Sequence, residues 1–367
     1  MKVLVTGSDG FIGKNLCLKL QELQLQTLKI SRKTSIEQAE NFFSTADVVI
    51  HLAGVNRPNS DSEFDVGNLG LTSEICALME SLARPVPVIF ASSTQAELDN
   101  PYGRSKRAAE QALHQFGLRN SVSTLTLRLP NVFGKWSRPN YNSAIATFCH
   151  AVANGLPYKI NDPSAPLRLA YIDDVVDCLV ASARALLDSK RLPALEPVYE
   201  TTVGEVASIL EDFKDANTSL NVGEVGAGLR RALYSTYVSF LPREKFVSQL
   251  KLHTDSRGDF VEMLRTPNAG QFSYFTAHPG VTRGGHYHHT KTEKFLVISG
   301  DARFRFRNVL SNETFQIFVK GGEGKVVDTI PGWAHDISNI GFDTLVVMLW
   351  ANENFDRAKP DTIAAEV

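Results

Sequence analysis

The chain of 367 residues exceeds the roughly 250 at which one hydrophobic core usually divides, so two domains are expected. With 38 basic and 40 acidic residues, a formal charge of −2, it lacks the basic field of a nucleic-acid or anionic-membrane binder, and no apolar run approaches the ~20 residues that span a bilayer. Met1 leads directly into KVLVTG, a core-strand pattern rather than a signal sequence, which makes a cytoplasmic location the expectation.

From Met1 to about Ala185, short Val/Ile/Leu-rich runs alternate with helix-period segments: KVLVTG then FIGKNLCLKLQEL, TLKIS, DVVIHLAG, PVIFASS then SKRAAEQALHQF, and STLTLRL. Strands without polar alternation are covered on both faces, as in a doubly wound parallel sheet of Rossmann type. Gly7, Gly10 and Gly13 are spaced GxxGxxG between the first strand and the first helix. Glycines there let the backbone approach a pyrophosphate that rests on amides at the helix start. At the end of the second strand stand Ser31, Arg32 and Lys33, with no acid to hold a ribose 2′-hydroxyl. A basic group suits a 2′-phosphate, so NADPH is the favoured cofactor.

Ser92, Ser93 and Thr94 close a later strand, and Tyr102 and Lys106 follow four residues apart at a helix start, hence on one face. A tyrosine that protonates a carbonyl needs its pKa lowered, which an ammonium nearby does, while a hydroxyl holds the substrate oxygen. The segment TTVGEVASILEDFKD predicts an amphipathic helix opened by Thr201 or Thr202. Past Leu241-Pro242 the helical period fades. Alternating runs such as GDFVEML, QFSYFTA, KFLVISGDARFRFRNV, ETFQIFV and TLVVMLW predict an all-β barrel, which sets the domains at 1–245 and 246–367.

Six of nine histidines lie from His253 onward. His286 and His288 share one face of a strand, Glu293 follows after a turn, and His335 comes from a later strand. Imidazoles and one carboxylate converging in a small barrel suit a divalent metal, zinc first, with iron, manganese or nickel also compatible. Cys17, Cys76, Cys149 and Cys178 are scattered without CxxC spacing and read as reduced core residues.

TGSDGFIG, VVIHLAG, SST…YGRSK, LRLPNVFG and RLAYIDDVV resemble the extended short-chain dehydrogenase/reductases over the first two-thirds of the chain. The resemblance implies cofactor contacts from Gly7, Gly10, Phe11, Ile12, Gly13, Ser31, Arg32, Lys33, Leu52, Ala53, Gly54, Tyr102 and Lys106. It implies a nucleotide-sugar site with Asn131 and Arg168, and a catalytic set of Ser93, Tyr102 and Lys106. The gap from Ser93 to Tyr102 is shorter than in most relatives, which leaves Ser92 and Thr94 open as the hydroxyl.

Gly, His286, His288, Glu293 and Gly300, then Gly332, His335 and Asn339, resemble the two cupin motifs, except that Pro331 adjoins Gly332 instead of standing two before it. GGHYHH and DSRGDFVE also resemble the cupin-like dTDP-sugar 3,5-epimerases, in which a histidine removes a proton beside a ketone. Together the halves resemble the reductase–cupin enzymes of capsular polysaccharide biosynthesis. That resemblance implies a cupin that epimerises C3 of a UDP-2-acetamido-2,6-dideoxy-4-keto-hexose. The reductase then converts its C4 ketone with NADPH into UDP-2-acetamido-2,6-dideoxy-L-talose, on the route to UDP-N-acetyl-L-fucosamine. Tyr287, His289 and Lys294 are the candidates for the proton at C3, and whether the metal is catalytic or structural is open. The alternatives are an NADPH- or sugar-sensing assembly protein, against which the intact Ser/Tyr/Lys set argues, and a single-activity epimerase or dehydratase with a structural barrel. Cupin edges that need covering favour a homodimer.

Overall fold

The computed structural model describes all residues except 59, 220–221, 251, 256–257, 262–263, 265–269 and 354–357. Parts of the expected GDFVEML strand and of DSRGDFVE lie outside the described residues. The chain runs β1 (Lys2–Thr6), α1 (Phe11–Glu22), β2 (Gln26–Ile30), α2 (Ile36–Thr45), β3 (Val48–His51), and a turn α3 (Ser62–Phe64) that continues through a π-helical segment into α4 (Leu71–Ser81). Next come β4 (Val88–Ser93), α5 (Pro101–Asn120), β5 (Thr124–Leu129), β6 (Asn131–Phe133), α6 (Ala144–Asn154), β7 (Pro166–Tyr171), α7 (Ile172–Leu187), β8 (Tyr199–Thr202), α8 (Val203–Ser219) and α9 (Gly228–Val238). Two compact units result: Met1–Phe133, Asn140–Ser143 and Leu167–Thr201, and the remaining residues to Val367.

The first unit is the expected parallel sheet, in the order β2-β1-β3-β4-β5, with β6, β7 and β8 in a small separate sheet. Val3, Leu4 and Val5 of β1 and Val48, Val49 and Ile50 of β3 are all fully buried, which is why these strands show no polar alternation. Leu4, Val49 and Phe90 pack with Ile75 and Met79 of α4 and Leu113 and Phe116 of α5. That packing fixes α5 against the sheet. Parallel pairing aligns Thr6 with His51 and His51 with Phe90, so the carboxyl ends of β1, β3 and β4 meet at one edge, where such sheets bind ligands.

The second unit joins α6, α8 and α9 to β9 (Val247–Gln249), β10 (Leu252–Asp255), β11 (Gly258–Val261), β12 (Gln271–Ala277), β13 (Thr282–Tyr287), β14 (Glu293–Ser299), β15 (Asp301–Asn308), β16 (Thr314–Lys320), β17 (Lys325–Asp328), β18 (Trp333–Asn339), β19 (Leu345–Ala351) and β20 (Ile363–Ala364). Ten of these strands form two antiparallel five-stranded sheets, β12-β19-β14-β17-β9 and β16-β15-β18-β13-β20, the all-β architecture expected. On β15, buried Ala302, Phe304 and Phe306 alternate with half-buried arginines, the period of a strand with one face on the core. Phe246, Phe306, Phe315 and Trp333 form an aromatic cluster, and Ser235 of α9 donates to the Thr290 carbonyl at 2.7 Å. α8 opens as a capping box: Glu205 N donates to Thr202 Oγ1 at 3.2 Å, and Thr202 N donates to Glu205 at 3.0 Å. The four cysteines are buried thiols without disulfides.

Candidate active sites

The glycine loop is shaped for a ligand to lie against its backbone. Gly7 has φ +69°, and a Cβ there would stand 2.7 Å from Ala53 N; a Cβ on Gly13 would collide with the Gly7 carbonyl. Gly10 N donates to Gly7 O at 2.9 Å and opens α1 without a side-chain cap, leaving the first amides of the helix for an anion. Ser8 N and Oγ both donate to Ile30 O, at 3.2 and 3.1 Å, tying the loop to the end of β2. There Ser31 accepts from Lys33 N at 3.2 Å in a tight turn that leaves Arg32 and Lys33 exposed. Leu52, Ala53 and Gly54 follow β3 beside the loop, with Ala53 N donating to Thr6 Oγ1 at 3.3 Å.

Asn100 caps α5 by accepting from Gly103 N at 2.7 Å, and Pro101 fits the first helical position, where no amide is needed. This start places Tyr102 in the first turn and Lys106 one turn on. The Ser93 hydroxyl faces the Tyr102 phenol and accepts from Gln95 N at 3.2 Å, whereas Ser92 donates to Glu110, which Arg128 clamps at 2.7 Å. Strand parity therefore sends adjacent serines to different partners, and the hydroxyl beside the phenol is that of Ser93. Burial pushes the Tyr102 phenol up, and the Ser93 hydrogen bond opposes that. The expectation that Lys106 lowers this pKa is not met in this arrangement, because Lys106 Nζ donates to Ala91 O at 2.8 Å and lies 4.2 Å from the Phe90 ring centre. Burial brings Lys106 itself down to about 8, against the pull of the Glu110 charge.

Sequence reasoning missed Asn68, at 2 % exposure in the π-helical segment. It accepts from Val55 N at 3.0 Å, donates to Val55 O at 2.9 Å and donates to Ser105 at 2.9 Å, pinning the loop after β3 to α5. Its partners lie 13 and 37 residues away, which no local pattern reveals. Asn131 and Arg168 lie exposed on paired strands, Asn131 opposite Leu169, and Arg168 is 3.6 Å from Glu200.

In the second unit, His286, His288, Glu293 and His335 converge, each offering one ligand atom with all four within 4.8 Å of one another. A register shift between Gly284 and His286 turns β13 so that His286 pairs with His335 of β18; Gly284, at φ +101°, lies where a Cβ would be 2.9 Å from the His335 carbonyl. His288 Nδ1 donates to the Asp361 carbonyl and His335 Nδ1 to the Trp333 carbonyl at 3.3 Å, which turns both Nε2 atoms toward Glu293 Oε2, at 3.2 and 3.5 Å. Buried Nε2 of His335 has no hydrogen-bond partner among the described residues. Burial opposes the Glu293 charge, but the imidazoles of His288 and His335 outweigh it and hold the carboxyl well below its ordinary value. Burial, with the neighbouring His335 and His288, lowers His286 to about 4, so its ring is neutral and its lone pair free. Three imidazoles, one carboxylate and an unsatisfied buried nitrogen fit a divalent metal.

Of the candidate proton donors, Lys294 and Tyr287 are turned away from this cluster. Lys294, the residue after Glu293, points to the opposite face, where it pairs with Asp328 near Tyr234 and Tyr237 of α9. Tyr287 likewise alternates away from His286 and His288 and meets His289 edge-on at 5.5 Å. The ammonium that does reach the cluster is Lys291, 8 % exposed and 3.4 Å from Glu293 Oε1; strand parity could not find it because it stands on the connecting turn.

Residues 3–191 match the NAD dependent epimerase/dehydratase family, and residues 253–363 match the polysaccharide biosynthesis C-terminal domain. The chain belongs to the NAD dependent epimerase/dehydratase family. That membership supports a nicotinamide cofactor for this chain. A relative within the family is UDP-2-acetamido-2,6-beta-L-arabino-hexul-4-ose reductase of Pseudomonas aeruginosa, 51% identical over 368 residues, which cover 100% of this chain and 99% of that protein. The capsular polysaccharide assembling protein CapF from Staphylococcus aureus superposes with TM-score 0.67 at 36% identity, covering 100% of both chains. A CapF structure with the inhibitor 3-isopropenyl-tropolone matches with TM-score 0.63 at 33% identity, again covering 100% of both.

Proposed function

We propose that this chain is a bifunctional nucleotide-sugar enzyme. Its second unit epimerises C3 of a UDP-2-acetamido-2,6-dideoxy-4-keto-hexose, and its first unit reduces the C4 ketone with NADPH to UDP-2-acetamido-2,6-dideoxy-L-talose, on the route to UDP-N-acetyl-L-fucosamine. The observation that carries the reduction is the Ser93 hydroxyl facing the Tyr102 phenol at the end of β4, with Lys106 one turn further along α5. The Pseudomonas relative's name, a reductase of a UDP-linked 2-acetamido-4-ulose, supports the substrate class.

Bound NADPH supplies the hydride that C4 accepts. Ser93 holds the ketone oxygen, and Tyr102 gives its phenolic proton to that oxygen as the alkoxide charge develops. Lys106, one turn further along α5, would hold the cofactor ribose through its ammonium. The 2′-phosphate is assigned to Ser31, Arg32 and Lys33, and the sugar diphosphate to Asn131 and Arg168.

Epimerisation uses the acidity that a C4 ketone gives the C3–H bond. His286, His288, Glu293 and His335 would hold the metal, zinc by donor type, which supplies positive charge next to the substrate. Lys291 supplies a second cation at the same cavity for the enolate oxygen. Reduction consumes the ketone and makes the inversion irreversible. Exposed Phe272, Tyr274 and Met348, on the neighbouring strands β12 and β19, support a homodimer that covers this sheet face.

The test is product analysis: purified enzyme, the 4-keto sugar and NADPH should give one equivalent of NADP⁺ per 6-deoxy-talose formed. Recovery of an epimer with no NADPH consumed would leave only the single-activity alternative.

A further inference from the structure

The turn that joins His288 to Glu293 is held from a distance of some seventy residues. Three successive amides converge on the carboxylate of Asp361: His289 N donates at 2.8 Å, Thr290 N at 2.6 Å and Lys291 N at 2.7 Å, and the Thr290 hydroxyl adds a fourth bond at 3.1 Å. The main-chain carbonyl of the same residue accepts from His288 Nδ1. The next residue, Thr362, accepts from Lys291 Nζ at 3.3 Å, and that ammonium lies 3.4 Å from Glu293 Oε1, so the other oxygen, Oε2, faces His288 and His335. Ile363 and Ala364 then pair with Tyr287 and His286, and Ala365 N donates to Gly285 O at 2.9 Å.

We propose that the C-terminal segment from Asp361 to Ala365 is a clasp that sets the affinity of the His286–His288–Glu293–His335 site for its metal, with the Asp361 side chain as the positioning residue. The clasp acts on three of the four ligands. Through its carbonyl it selects the His288 tautomer whose Nε2 carries the lone pair, through Lys291 it turns Glu293, and through β20 it holds the strand that carries His286. A carboxylate that gathers consecutive amides makes a stiff turn, and a partner of this kind beyond the ligands themselves is typically worth ~10–100-fold in metal affinity. The inference rests on the metal reading above.

The experiment compares full-length native protein with Asp361→Asn and Asp361→Ala. Zinc affinity is read by competition with a chromophoric chelator, the ligand field by the visible spectrum of the cobalt(II) form, folding by melting of the metal-free proteins, and integrity of the first unit by NADPH binding. The clasp requires both variants to bind zinc roughly 10–100-fold more weakly, with an altered cobalt spectrum, while metal-free melting and NADPH binding stay at the native values. Zinc affinity within twofold of native overturns it, as does a loss of affinity wholly accounted for by unfolding of the metal-free variants. Native protein that takes up no zinc sinks the metal reading itself, an outcome distinct from either.

Discussion

The hydroxyl of Ser93 faces the phenol of Tyr102, while Ser92, its neighbour on β4, is committed to Glu110. Removing the phenolic proton in Tyr102→Phe should lower kcat for NADPH oxidation by ~10²–10⁴-fold. Ser93→Ala should cost roughly 10²-fold by leaving the developing oxyanion without a donor. Ser92→Ala touches only the support beneath the strand and should cost far less. Equal losses in the two serine variants would remove the distinction drawn from strand parity.

Buried Lys106 titrates at about 8 in place of its ordinary 10.5. Its charge is therefore present below pH 8 and lost above it. NADPH-dependent reduction should fall on the alkaline side with a midpoint near 8 in kcat/KM. Lys106→Arg, whose charge does not titrate there, should move that limb upward even if the rate is lower. Between the two values the folded chain binds fewer protons than the unfolded one, so this group makes the fold more stable as pH rises from 8 to 10.5. An alkaline limb unchanged in the arginine variant would assign it to another group.

Arg32 and Lys33 stand exposed after β2, and no carboxylate in the Ser31–Thr34 turn meets a 2′-hydroxyl. Arg32→Ala should raise KM for NADPH roughly tenfold, the equivalent of about 1.4 kcal/mol, and leave KM for NADH nearly unchanged. Parallel changes for both cofactors, or none for either, would return these side chains to an ordinary solvated loop.

Stripping the metal should abolish exchange at C3 and lower the melting temperature, because the buried imidazoles and Glu293 then face one another without a cation. Reduction of a ketone already inverted at C3 should survive. Full C3 exchange in metal-free protein would make the site structural.

What could be read from the sequence depended on how far apart the interacting residues lie. The glycine loop and the Tyr102–Lys106 pair are local geometry, and Gly7 and Gly13 stand where a Cβ would collide with neighbouring backbone. The convergence of His286, His288, Glu293 and His335 was legible as well, since His286 and His288 share a strand face and sheet pairing brings His335 opposite. The two-residue period already sends Lys294 away from Glu293, toward Asp328. Asn68, Lys291 and Asp361 were invisible, because each matters through partners across a turn or far along the chain. The shift to strand grammar near residue 245 is real, yet α6, α8 and α9 join the second unit through tertiary packing that composition does not carry.

The most direct measurement incubates Tyr102→Phe with the UDP-4-keto sugar in heavy water and follows C3 by proton NMR, with and without NADPH. Two separate reactions on one ketone predict that the C3 proton signal disappears at the native rate while NADPH is not consumed. A C3 proton that persists in the variant, while the native enzyme loses it in step with reduction, would contradict the account.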